Sequence, residues 1–524
     1  MTTELTATGA PRVVPGAVTT FQVASPDLEA VVRDLHGLRL ADMFAGGSGG
    51  SSPRAGGAAT DGDAPTLRLV WANDAGEGQS GYVITETQID GTEYPALSDV
   101  APAAFVEECE IYEQFGIRPA TGKPLNRVML PPHTDLPTLG RKPAREPDEV
   151  RAPHAVAGEA FEFPFGPVRQ AGVESLYYGL VTSGEEIVDV YLFTWHKHRG
   201  LEWRLAGKTP EQALFLAERA EGLSAVAVGW ALAAAVESAT GTTPPEAAQR
   251  TRAVALELER LYNHAAAMAA LCQSTGLSVG QSAAEIALER LLRLNARALG
   301  HRYLFGVVAP GGACRAPDSG AIRGELPGAY GEFRRAADAL LATNSFVDRL
   351  EATGTLTSAQ AAALGMVGPV ARATGLAGDA RLVPGGPYDP DAGGPGAGIR
   401  VATATAGDAL ARFTVMLAEA AESVRLIGQF LDAGPFFDAR TAAGIAELRQ
   451  TAGGTGLGWA ESPRGEALAW VALDGDGRIS RARLRPASAR NWRGFDDACR
   501  SGNVFTDVPI IEASFWLTAA GMAR

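Results

Sequence analysis

The sequence predicts an α+β chain: an α/β first part, then a mainly helical bundle with small sheets at its ends. Three observations lead there. Strand-like runs at Thr66–Asn73 and Gly81–Ile89 sit beside helical patterns within the first 140 residues. Helical periodicity and cap signals dominate from Thr209 to Leu431. Hairpin patterns open and close the second part, at Leu176–Val181 with Ile187–Phe193 and at Ala467–Leu473 with Ile479–Leu484.

The first helix is expected over Asp27–Leu38, with Ser25 as N-cap and Pro26 at its first position. Gly46–Asp63 has no large apolar side chain to bury and is read as a flexible loop. After the two strands, a helix places Phe105, Cys109 and Tyr112 on one face. The Pro-rich stretch Pro131–Pro153 reads as linker, so the first domain is set at 1–140, the linker at 141–159 and the second domain at 160–524.

In the second part, Thr209-Pro210-Glu211-Gln212 and Thr243-Pro244-Pro245-Glu246 both read as capped helix starts. Val254, Leu258, Leu261, Ala265, Met268 and Cys272 recur at three- and four-residue steps, which is a buried stripe. Ser282 and Glu285 are read as a capping box before Ile286–Leu299, with Gly300 as the stop. A further helix is expected over Gly407–Leu431, after an irregular Gly/Pro-rich loop at Gly375–Gly398.

Composition narrows the function. At roughly 150 residues per domain, 524 residues allow two to four domains. The net charge of −14 argues against coating nucleic acid or anionic lipid. Four scattered cysteines give no Cys-x-x-Cys site and no disulfide framework, which points to a reducing compartment. Met1–Gly16 shows no signal pattern, and the apolar run Leu223–Val236 is read as too short to cross a bilayer.

Few motifs carry chemistry unaided. His196-Lys197-His198-Arg199-Gly200-Leu201-Glu202 follows a strand. It admits two readings, a solvated turn or a turn that aims His, Arg and Glu together. Glu257, Arg260 and His264 share one side of a helix, as a half-buried polar seam or as support for a central site. Asp474-Gly475-Asp476-Gly477 reads as a hairpin turn, because an EF-hand loop needs a Glu where Arg485 stands. No dinucleotide fingerprint, P-loop or nucleophile elbow is present.

The second part resembles the large-subunit family shared by membrane-bound NiFe hydrogenases and the quinone-site, D-type subunit of respiratory complex I. The resemblance rests on Gly166-Pro167, Gly184-Glu185, Asp189, His198-Arg199-Gly200-Leu201-Glu202, Arg219, Glu257/Arg260/His264, Gly407-Asp408, Ala411-Arg412-Phe413 and Pro463-Arg464-Gly465-Glu466, in the family's order. The first part is similar to the C-type subunit of complex I through Tyr94-Pro95, Ser98-Asp99-Val100, Glu110-Ile111-Tyr112 and Phe115-Gly116-Ile117-Arg118. Fusion of the C-like and D-like parts in one chain is typical of the hydrogenase branch.

The departures carry the functional content. By the resemblance, Glu221, Ser224, Thr518 and Gly521 stand where four thiolates hold nickel and iron. A soft NiFe centre needs sulfur donors, so this centre is expected to be absent. Val173 stands at the family's quinone-site histidine, and Pro210-Glu211 replaces its Tyr-His pair. Arg169, Glu174 and Glu211 remain at degenerate quinone-loop positions, so quinone is the one cofactor left open. Candidate site residues are Arg219, Glu221, Ser224, His198 and Arg199, with Arg219, Glu221 and Ser224 expected to line the old metal cavity. Glu202 matches a position that binds magnesium in the nickel enzymes.

The resemblance implies a subunit of a membrane-associated, complex I-like redox complex, peripheral on the inner face of the cell membrane. Its expected partners are an iron–sulfur small subunit and membrane-arm subunits. The alternative is a non-catalytic scaffold or assembly protein that kept the fold.

Overall fold

The computed structural model describes residues 3–5, 18–35, 37–47, 65–74, 80–132, 138–140, 142–143, 147, 160–169, 174–389, 398–436, 453–500 and 502–524. It is a mixed helix-and-sheet molecule. Most of the expected linker, residues 48–63 of the expected loop, and Val173 lie outside the described residues.

The first part is built on five strands: β1 (Thr3–Leu5), β2 (Val18–Val23), β3 (Arg39–Gly47), β4 (Pro65–Asn73) and β5 (Gly81–Gln88). They form one sheet in the order β1-β2-β5-β4-β3. In it β2 is parallel to β5, and β4 runs antiparallel to both β3 and β5. Gly46 and Gly47 pair with Thr66 and Pro65, so the first two residues of the expected loop belong to β3. Helix α1 covers Leu28–Asp34, shorter than expected, and Ser25 lies in a preceding 3-10 turn and caps nothing. Helix α2 (Phe105–Phe115) ends at Gly116, whose φ of 65° suits the left-handed stop. A parallel pair, β6 (Glu93–Pro95) and β7 (Arg118–Ala120), flanks α2.

A three-stranded antiparallel sheet follows: β8 (Ala160–Phe165), β9 (Tyr177–Ser183) and β10 (Glu186–Phe193). The hairpin was legible; β8 was not. The turn after β10 leads through α3 (Leu201–Leu205) into α4 (Pro210–Ala217). Thr209 and Gln212 cap α4 reciprocally, as the pattern required.

The bundle comprises α5 (Ala225–Thr240), α6 (Glu246–Ser274) and α7 (Ser278–Leu299). After a two-residue pair β11 (Val308–Ala309) and β12 (Gly312–Ala313) come α8 (Ser319–Leu341), α9 (Asn344–Leu350), α10 (Ser358–Ala363), α11 (Gly368–Arg372) and α12 (Ala409–Asp432). The six stripe residues of α6 are all buried in one core with α5, α7, α8 and α12. Two cap readings fail. Pro245, not Thr243, is the N-cap of α6, and α7 starts at Ser278, which puts Ser282 and Glu285 inside it. Asp318 caps α8, and Pro327 sits within that helix. The apolar run at α5 is also longer than expected. Gly222–Thr240 is long and apolar enough to cross a membrane, but 72% of that window is buried inside the protein.

What covers α5 is a second antiparallel sheet, β13 (Gly454–Ser462), β14 (Gly465–Leu473) and β15 (Ile479–Arg485). The expected Asp474 turn joins β14 to β15, with the Asp474 carboxylate accepting from the Asp476 and Arg478 amides. Strand β13 rests on bare helix backbone. A Cβ at Gly456 would stand 2.1 Å from the Ala235 carbonyl, and one at Gly458 would stand 2.2 Å from that of Ala231. The N-terminal sheet packs on this hairpin. Phe44, Val70, Tyr82 and Ile84 share one apolar cluster with Leu457, Leu468 and Trp470, and Arg68 lies over the Trp470 ring.

Candidate functional site

A cavity of about 990 Å³ opens in the bundle. Its walls come from small residues of α6 (Ala266, Ala269, Ala270), from α7 (Gln281, Glu285, Leu288) and from the C-terminal segment Trp516–Ala520. The glycine and alanine walls leave room, and Tyr303, Phe305 and Leu223 make the lining predominantly apolar. Around it stand exposed apolar side chains: Val168 (91% exposed) beside the lining residue Arg169, and Val279 (87%) and Ile286 on the lining helix α7.

One end of this cavity is polar, and it is where the four thiolate-equivalent positions meet. Glu221 is fully buried, and its Oε1 accepts from Thr518 Oγ1 at 2.8 Å and from Ser488 Oγ. Arg464 donates through Nη1 to Ser224 Oγ at 2.8 Å and through Nε to the Trp516 carbonyl, and its guanidinium stands 4.0 Å from Glu221. A Cβ on Gly521 would lie 3.4 Å from Glu221 Oε1. So the four positions, on segments at opposite ends of the bundle's sequence, come together: Thr518 and Gly521 against Glu221, and Ser224 and Glu221 beside the Arg464 guanidinium. This donor set does not fit a soft nickel–iron centre. It offers a carboxylate and two hydroxyls, no sulfur, and a permanent cation among them. None of the four cysteines contributes: Cys109, Cys272 and Cys499 are packed in apolar clusters, and Cys314 is exposed.

Arg199 ties this end together from behind. Its guanidinium donates to the carbonyls of Arg219 (2.6 Å), Ala220 (2.5 Å) and Ala520 (2.5 Å), and its own amide donates to the Ala523 carbonyl at 2.8 Å. One side chain thus clamps the segment bearing Glu221 to the segment bearing Thr518 and Gly521. Gly200, at φ 60°, makes the turn that aims it. His198 is more than half-buried, its Nδ1 has no partner among the described residues, and burial lowers its pKa.

The remaining candidates divide. Arg169 and Glu174 do reach the cavity. Arg169 pairs with Glu512 at 2.7 Å, and the Glu174 carboxylate accepts from the backbone amides of Ala519 and Ala520. Both side chains hold loops by these bonds. Of the three residues expected to line the cavity, none does. Glu221 and Ser224 are fully buried behind its polar end. Arg219 is exposed, with its guanidinium 3.7 Å over the Phe215 ring and 5.0 Å over that of Phe305. Glu211 sits on the first turn of α4 and does not line it either.

Glu202 fits a magnesium ligand poorly. Its carboxylate is already neutralised by Arg524 (3.2 Å), Arg481 (3.3 Å) and Arg483 (3.6 Å), and it accepts from the Leu484 amide. No cluster of three or more His, Cys, Asp or Glu suited to a metal ion occurs among the described residues.

The expected polar seam on α6 is fully buried rather than half-buried. Glu257 accepts from Arg260, Arg381, Tyr388 and Ser423. His264 Nε2 lies 3.0 Å from Glu419, which also receives Arg372. Arg260 donates to the carbonyls of Glu461 and Ser462, and so fixes the turn that carries Arg464. Arg464 was missed as a site residue although its Pro-Arg-Gly-Glu motif was noted; Ser488 had no sequence signal.

Comparisons with known proteins agree with this frame. Residues 287–524 match the family described as respiratory-chain NADH dehydrogenase, 49 Kd subunit. The chain is 28% identical over 462 residues to formate hydrogenlyase subunit 5 of Escherichia coli, covering 84% of this chain and 78% of that protein. It is 31% identical over 333 residues to a D-type NADH-quinone oxidoreductase subunit of Salinispora arenicola, covering 62% of this chain and 84% of that protein. Among solved structures, a chain of the archaeal membrane-bound sulfane sulfur reductase, a respiratory membrane complex, shares the fold at a TM-score of 0.63 and 24% identity, over 71% of this chain and all of that one.

Proposed function

The chain belongs to the family of D-type NADH-quinone oxidoreductase subunits and the related hydrogenase large subunits, and on that premise we propose that it serves a membrane-associated, complex I-like redox complex without a NiFe centre of its own. The observation that carries this reading is the convergence of Glu221, Ser224, Thr518 and Gly521, with Arg464 beside Glu221 and Ser224, at the end of a roomy, mostly apolar cavity. The family's reaction chamber is kept and its metal donors are exchanged for hard, hydrogen-bonding groups.

In this reading the chain contributes a wall. Residues 1–140 act as a C-like module joined through 141–159 to the D-like unit at 160–524. An iron–sulfur partner covers the cavity along the exposed apolar side chains Val168, Val279 and Ile286, and membrane-arm subunits hold the assembly peripherally on the cytoplasmic face. The cavity takes an apolar-bodied acceptor of the quinone class. Arg464 and Thr518 face its polar end, Glu221 sets their charge and orientation, and Arg199 positions both segments.

The scaffold reading keeps two supporting observations. Glu221 is closed off by two hydroxyls and a guanidinium, and Glu211 stands outside the cavity. One experiment separates the two. The tagged chain is purified from membranes, its partners are identified, nickel is assayed, and quinone-linked electron transfer is measured for the wild type, Glu221→Gln and Arg464→Lys. The redox reading expects iron–sulfur and membrane subunits, no stoichiometric nickel, and loss of turnover in both variants with the complex intact. Full turnover in both variants, with the same partners, establishes the scaffold reading instead.

A further inference from the structure

On the far side of the Ser462-Pro463-Arg464 turn from the cavity lies a buried cluster whose charges do not balance. Four carboxylates, Glu257, Asp379, Glu419 and Glu461, face three guanidinium groups, Arg260, Arg372 and Arg381. The other titratable groups facing the cluster stay neutral: burial lowers the pKa of His264, burial and Glu257 raise that of Tyr388, and burial raises that of Glu259, beside Arg260, to about 8. One carboxylate is therefore in excess. Leaving an uncompensated charge in a dry interior is expensive, so the cluster must bind a proton or draw in a cation.

The hydrogen bonds point to which carboxylate takes the proton. Glu257 has Arg260, Arg381, Tyr388 and Ser423. Asp379 has Nε and Nη2 of Arg381, and Arg372 besides. Glu419 has Arg372, Arg260 and His264. Glu461 has only Nη1 of Arg372, a residue it shares with Asp379 and Glu419, at 2.9 Å, and the Ala380 amide at 3.0 Å. Glu461 is also the one that reaches two openings. It lines a pocket of about 390 Å³ whose walls carry the charged side chains Arg39, Asp74, Asp379 and Glu466, and a second pocket of about 400 Å³ on its other side.

We propose that Glu461 is a proton-exchange site of the bundle, loaded from solvent through the pocket lined by Arg39 and Glu466, at the seam between the N-terminal sheet and the helices. The carboxylate takes a proton from pocket water, and the cluster passes from one excess negative charge to neutrality. This exchange is independent of what the main cavity binds. The charges facing Glu461 agree with it. Burial and then Asp379 push its pKa up to about 7, against the pull of Arg372, Arg260 and Arg381. Burial also opposes ionisation of Glu257, Asp379 and Glu419, but their arginines outweigh it and hold all three below the usual range. Glu466 and Asp74 in the pocket wall are already bound by Arg39.

Infrared difference spectra of the purified protein between pH 5 and pH 9 test this. Burial also pushes Glu113 and Glu259 up to about 8 and Glu218 to about 7, so the wild-type protonated-carboxyl band is composite; one component of it is expected to disappear around pH 7 and to be missing from Glu461→Gln. Glu419→Gln removes the excess carboxylate by a different route and is expected to abolish the same neutral titration while Glu461 is still present. It also carries the test if Glu461→Gln does not fold. A Glu461→Gln spectrum that keeps every component of the wild-type band, or a Glu419→Gln titration identical to the wild type's, overturns the proposal, as does a proton found on His264 at pH 7 by its ring nitrogen resonances.

Discussion

Two buried ionic clusters in this molecule are built from the same residue types and behave in opposite ways. One joins the N-terminal part to the C-terminal segment. Asp42, Glu107, Glu110 and Glu202 face Arg481, Arg483, Arg485, Arg490, Arg493 and Arg524. The other is the carboxylate-rich cluster around Arg372. At the seam, arginine is in excess. Burial lowers the pKa of Arg485 to about 10 and also pulls that of Arg490 well down, yet guanidinium stays charged at neutral pH. Asp42, Glu107 and Glu110 stay ionised because their arginines outweigh their burial. These three carboxylates therefore do not titrate near neutrality. In the bundle the excess falls on carboxylates, which can shed charge by taking a proton. The sign of the surplus decides whether a buried cluster is inert or proton-binding.

The largest expected effect is at the seam. Glu110 receives both Arg483 and Arg524. Glu110→Ala leaves two buried guanidinium groups short of a partner and is expected to destabilise by about 3–5 kcal/mol, read as a lower denaturant midpoint. Glu461→Gln in the bundle is expected to show no such loss at pH 8, and a gain there sharpens the contrast.

Next is Arg199→Lys, which keeps the charge but cannot reach three carbonyls at once. A loss of about 1.5–3 kcal/mol is expected from these charge-assisted bonds, together with turnover falling more than stability alone explains. Unchanged turnover in a folded variant removes Arg199 from the positioning role.

The pH dependence follows in size. Glu461 holds its proton to about pH 7 when folded and to about 4.5 when unfolded. Between those values the unfolded chain binds fewer protons, so this group's contribution to stability is full below about 4.5 and declines as pH rises to about 7. The wild-type-minus-Glu461→Gln difference in unfolding free energy should therefore fall across that window and be flat above it. The smallest effect is local: Thr209→Ala removes one half of a capping box and is expected to cost about 1 kcal/mol.

What sequence could reveal follows the range of the forces. The α6 stripe, the Thr209 cap and the two hairpins are set by neighbours three or four positions away, and all were legible. Ser282 was misread as a cap because its pairing with Glu285 is equally compatible with a helix interior. Strands β8 and β13 were missed because neither is bounded by a readable turn on both sides. In the site, Glu221 and Thr518 were found only through family spacing. Ser488 and Glu461 escaped because their roles come from partners far off in sequence: Ser488 from Glu221, and Glu461 from Arg372. Arg219 was expected in the cavity, but the rings of Phe215 and Phe305 hold its side chain outside.

The two glycines of β13 that lie on α5 have one more consequence. With Gly456 and Gly458 against helix backbone, a shift of β13 by one residue would press Leu457 and Trp459 into a gap that admits only hydrogen atoms. The strand is indexed against the helix like a key in a slot. The turn it leads into carries Glu461 on one side and Arg464 on the other, so both are located to the residue. Alanine at position 458 would therefore be felt at both ends of that turn, although it touches neither.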